Sequence, residues 1–68
     1  MQTEIYESDP FSPKKGRLLA KLDTDYRFEK NDELFIHLDN GSVKIRIMHV
    51  RLTIEHGAMT RELLGLKL

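Results

Sequence analysis

Three histidines, His37, His49 and His56, are the first candidates for chemistry in this sequence. Imidazoles act as metal ligands or general bases when they converge on one point, with Asp39 or Glu55 as an additional carboxylate ligand. Neither an HxH nor an HxxxH spacing occurs, and His37 and His49 fall on opposite sides of a break in the strand pattern. These histidines read as structural or solvent-exposed, and no metal or cofactor site is expected. Ser8, Ser12 and Ser42 lie in turn-forming stretches outside any nucleophile-elbow pattern. The carboxylate pairs Asp23/Asp25 and Asp32/Glu33 read as turn chemistry and solvated strand ends. The four glycines are isolated, so no phosphate-cradling loop is present. A chain of 68 residues also has little material with which to enclose a substrate pocket. The expectation is a protein that is not an enzyme.

One constellation has binding chemistry. Phe35, His37, Lys44 and Arg46 alternate outward on two adjacent strands, and Arg51 joins them if the chain changes phase between. An exposed aromatic among cations can stack on a nucleobase or pack against an acidic partner. The opposing reading is a solvated face with Phe35 half covered by Phe11 or the N-terminal strand. Lys plus Arg and Asp plus Glu number 11 each, so bulk charge attracts neither nucleic acid nor a membrane surface.

The elements that must position these residues follow from alternation and turn chemistry. Asn40-Gly41 reads as a type I′ hairpin loop, since that pair tolerates φ > 0 at both positions. Folding about it sets Leu38 against Val43, Ile36 against Ile45 and Leu34 against Ile47, with His37 against Lys44 and Phe35 against Arg46 on the other face. Residues 33–39 and 42–55 are the two strands. In the second, apolar residues occupy odd positions through Ile47 and even positions from Met48 through Val50, Leu52 and Ile54. A regular strand cannot change faces, so a β-bulge at Ile47-Met48 is expected, with Ile45, Ile47, Val50 and Leu52 buried and Arg46 and Arg51 exposed.

Elsewhere, Gln2–Glu7 reads as a short strand with Ile5 inward. Residues 8–16 read as a loop rich in turn formers, including Pro10 and Pro13, with Phe11 as a lid on a barrel end. Residues 17–22 read as a strand with Leu18, Ala20 and Leu22 inward, a helix being the competing assignment. Glu29-Lys30-Asn31-Asp32 forms a tight turn, and His56-Gly57 a second two-residue turn. Met59–Leu64 suggests one helical turn capped by Thr60. Leu64, Leu66 and Leu68 then form a closing strand that leaves Leu63 outside.

The whole is a single domain, residues 1–68: an all-β, five-stranded SH3-like small barrel. At this length about 60% of the unfolded chain's surface is buried, and with no cysteine there is no disulfide or thiolate metal site to help. Association with a partner subunit would supply the missing burial. The leading functional expectation is a non-enzymatic protein-interaction module that binds a protein partner or itself as a homodimer, with Leu63 on an exposed edge. The alternative is a small nucleic-acid-binding barrel using Phe35, His37, Lys44, Arg46 and Arg51. No signal-peptide pattern and no membrane span is read, so the expected location is cytoplasmic.

Overall fold

A computed structural model describes residues 1–9 and 11–68, leaving aside the side chains of Ser12 and Pro13. Pro10, read above as a turn former, lies outside the described residues. The chain forms five strands, β1 (Gln2–Asp9), β2 (Ser12–Asp23), β3 (Glu33–Leu38), β4 (Gly41–Glu55) and β5 (Ala58–Lys67). They make one sheet in the order β2-β1-β5-β4-β3, curled into a half-barrel. Among the described residues there is no helix long and apolar enough to cross a membrane.

The last strand is the middle of the sheet. β5 pairs parallel with β1, Ile5 opposite Leu63, and antiparallel with β4, Val50 opposite Leu63. Ile5, Leu19, Val43, Ile45, Ile47 and Leu63 form the core on the concave face, with Phe28, Leu34, Ile36 and Leu38 packed against it. Gly65 is required here by close approach. A β-carbon on it would overlap Ile45 Cδ1 and stand 3.1 Å from Ile45 Cβ and Cγ1.

The expected bulge is present. Ile47 pairs with Gly65 and His49 with Leu64, so Met48 is the extra residue. The second turn is also as read: Glu55 pairs with Ala58 across His56 (φ 50°) and Gly57 (φ 80°), both in the left-handed region that a type I′ loop demands. At Glu29–Asp32 the Asp32 amide donates to the Glu29 carbonyl at 3.1 Å, closing the predicted turn.

Several readings are corrected. The type I′ loop is at His56-Gly57 and not at Asn40-Gly41. The first hairpin turns on Asp39-Asn40, with Leu38 opposite Gly41; only Gly41 has positive φ, at 142°. Leu34 therefore faces Ile45, Ile36 faces Val43, Phe35 faces Lys44 and His37 faces Ser42. This displacement keeps every side chain on its own face, so apolar alternation does not distinguish the two registers; the turn backbone decides. The expected loop over 8–16 is mostly hairpin, because β2 is an edge strand, where proline is tolerated. Phe11 is 95% exposed at its tip and covers nothing. In β2 the register shifts between Ile5-Ala20 and Tyr6-Leu18, which turns Leu19 inward and leaves Leu18 exposed. Met59–Leu64 is strand and not a helical turn, since both of its edges are hydrogen-bonded to neighbours. Leu63 is fully buried because β5 is central rather than an edge.

Thr24–Asp32 crosses the open side of the half-barrel and is fastened from beneath by Arg61. Its Nε and Nη2 donate to Thr3 Oγ1 at 3.2 and 3.0 Å, and Nη2 also reaches the Thr24 carbonyl at 3.2 Å. The guanidinium carbon stands 4.9 Å from the centroid of the Phe28 ring. A buried cation without a carboxylate is costly unless its donors find acceptors, and these contacts supply acceptors for Nε and Nη2.

Candidate interaction surface

The outer face of the β3–β4 hairpin does collect Phe35, His37, Lys44 and Arg46. Phe35 is 66% exposed and stacks on His37, ring centroids 6.4 Å apart, while Lys44 Nζ stands 5.9 Å from the Phe35 centroid. Glu33, which the sequence reading left out, shares this face. It binds Lys44 at 2.9 Å and Arg46 at 3.5 Å. The Lys44 hydrogen bond, with Arg46 adding to it, holds the Glu33 carboxyl below its ordinary pKa. The two cations are thus already shared with an anion. The strict alternation Glu33, Phe35, His37 was the signal that could have found it. Arg51 lies on the same face as Arg46 because of the bulge, but it faces Glu62 at 3.9 Å and is not part of the cluster.

Farther along this outer face, a hollow of about 610 Å³ lies between the β4–β5 hairpin and β1. Glu4, Lys15, Arg51, Glu55, His56 and Glu62 are among its lining residues. Glu62 is buried and receives Lys15 at 2.5 Å as well as Arg51. Glu4 accepts the Tyr6 hydroxyl at 2.6 Å and faces Lys21 at 3.8 Å. The bond to Glu62 raises the Lys15 pKa, and the bond to Glu4 raises that of Tyr6, so each donor keeps its proton. This is a cross-strand charge network in which Glu4 and Glu62 are each engaged by a neighbouring donor or cation.

Comparison with protein-family models, curated proteins and solved structures finds no match.

The feature that stands out is the far half of β4. β3 covers Gly41–Arg46, and Asn31 and Asp32 bond both backbone groups of Ile47; beyond the bulge, His49–Glu55 ladders, among the described residues, only with β5. Antiparallel ladders alternate the direction of their backbone groups residue by residue. Ile47 faces the β3 side, and the extra residue Met48 resets the count, so the N–H and C=O of Val50, Leu52 and Ile54 face the open edge. Their side chains lie on the core face, opposite Leu63, Arg61 and Met59. Contrary to the expectation of burial, Val50 is 39% and Leu52 59% exposed, and Ile54 beyond them is 70% exposed. The core face continues past the segment that covers it, and alternation reports which side chains share a face, not whether anything lies on top.

Proposed function

We propose that this is a non-enzymatic, cytoplasmic protein-interaction module that captures an extended segment of a protein along the free edge of β4. The observation that carries the reading is the coincidence on Val50, Leu52 and Ile54 of outward-facing backbone groups with exposed apolar side chains. Strand addition needs both: main-chain hydrogen bonds for affinity, and alternate side-chain positions for specificity. The other sheet edges are blunted. β2 carries Pro13 with Lys14, Lys15, Arg17 and Lys21, and β3 is only six residues long.

The test is selection from a displayed library of random peptides on sparsely immobilised protein, so that no two copies can meet. Wild type should enrich peptides with apolar residues at alternate positions. Leu52→Pro, which removes an amide facing the edge and none facing β5, should lose that enrichment while keeping the fold. A wild-type chain that enriches nothing refutes the reading.

A second reading, a small nucleic-acid-binding barrel, draws support from the exposed Phe35–His37 stack beside Lys44. Glu33 counts against it. Failure to shift short single-stranded RNA or DNA at low salt, where phosphate contacts are strongest, would remove it.

A further inference from the structure

We infer that the segment received by the β4 edge is the β4 edge of a second copy, paired antiparallel about a two-fold axis through Leu52; this rests on the strand-capture reading above. A strand docking on itself must be complementary to its own reverse, and most edges fail that requirement. Residues 49–55 of this chain meet it. With Leu52 opposite Leu52 of the second copy, Val50 faces Ile54 and Ile54 faces Val50, so the apolar row meets only apolar side chains. On the outer face Arg51 meets Thr53 and His49 meets Glu55, a base against an acid twice over. The like charges are kept apart, and each Arg51 already has Glu62 beside it at 3.9 Å.

Backbone spacing agrees with the side chains. The residues whose N–H and C=O face outward are Val50, Leu52 and Ile54, and this register sets them opposite one another. All of them bond, giving about six interchain hydrogen bonds. Centring the axis on Thr53 instead would put Val50 against His56, which belongs to the hairpin turn, and would strand part of the edge. Centring it on Arg51 would set two guanidinium groups face to face. Because the axis runs perpendicular to the sheet, both core faces lie on one side. Val50, Leu52, Ile54 and Met59 of the two copies then merge into one apolar strip along a continuous sheet, which supplies burial that each small domain lacks on its own.

The chain contains no cysteine, which permits a clean test. Sedimentation of wild type over about 1 to 100 µM should show a monomer–dimer equilibrium, the range expected of a small interface. Under mild oxidation Leu52→Cys should form a disulfide-linked dimer, since directly opposed bonded residues stand about 5.5 Å apart between α-carbons. Thr53→Cys should not. Leu52→Glu changes an exposed side chain and sets a carboxylate opposite Arg61 of its own chain, so the monomer stays folded, and it should weaken the dimer by about a hundredfold by setting two carboxylates together at the axis. A wild-type chain that stays monomeric overturns the proposal; if sparse protein still enriches strand peptides, the interaction-module reading survives, and if it does not, both fall. A dimer that cross-links through Thr53→Cys rather than Leu52→Cys, or one that Leu52→Glu leaves intact, also overturns it.

Discussion

Replacing Gly65 with alanine adds one methyl group at the most crowded point of the sheet. Its β-carbon would overlap Ile45 Cδ1 and lie 3.1 Å from Ile45 Cβ and Cγ1, and Ile45 is fully buried against its neighbours. Forcing a packed side chain off its rotamer costs about 1–3 kcal/mol. Removing a strand glycine returns about 0.5–1 kcal/mol of backbone entropy. The net loss is therefore about 1 kcal/mol, from a total stability of about 3–10 kcal/mol for a domain of this size. Thermal unfolding followed by circular dichroism should show a fall in Tm of about 4–8 °C. The partner substitution Ile45→Val removes the overlapping methyl and alone costs about 1 kcal/mol. In the double variant the clash is relieved, so it should be no less stable than Ile45→Val alone, a favourable coupling of about 1 kcal/mol. Gly65→Ala melting at or above wild type would refute the close-approach argument. Strictly additive losses in the double variant would do the same.

Three further outcomes follow from the contacts described. Gly57→Ala, at φ 80°, should destabilise by about 1 kcal/mol in urea unfolding, whereas His56→Asn, at φ 50°, should be neutral or slightly stabilising; equal effects would remove the type I′ assignment. Thr3→Val strips Arg61 of its 3.0 and 3.2 Å acceptor and should cost about 2 kcal/mol, while Thr3→Ser should restore most of it; a Thr3→Val chain as stable as wild type would show that Arg61 finds another partner. Glu33 has a lowered pKa in the folded protein, so its contribution is complete above its ordinary value of 4.5 and is lost as pH falls through the lower folded value. Urea midpoints of wild type should thus decline more steeply on acidification than those of Glu33→Gln, and parallel curves would exclude the Lys44–Glu33–Arg46 linkage.

Sequence alternation was most informative where one face of a strand is covered. The change of phase at Ile47-Met48 predicted the bulge, and through it the common face of Arg46 and Arg51, because an extra residue leaves a visible trace in a period of two. Elsewhere the same signal was silent. Leu63 and Leu64 are both buried, one on each face of the central strand, so alternation could not say which was inside. The first hairpin's register escaped it because the two candidate registers preserve every face. The parallel pairing of β1 with β5 left no local mark, nor did the joining of Thr3 to Arg61, since both depend on chain segments far apart. The Phe35, His37, Lys44 and Arg46 cluster was legible from spacing, and Glu33 was open to the same alternation, but the bare flank of β4 was not, because cover is a property of the folded molecule.

The strand order has a consequence for how the protein comes into being. Until β5 is made, β1–β2 and β3–β4 are two hairpins with no ladder between them, and a lone hairpin is barely stable in water. Before β5 pairs, residues 1–57 leave Ile5, Ile45 and Ile47 without the strand they pack beside, and its docking joins residues as distant as Thr3 and Arg61. Assembly is thereby deferred and then abrupt, and the open edges of the waiting hairpins are what a chaperone, or another nascent copy of the chain, would meet first.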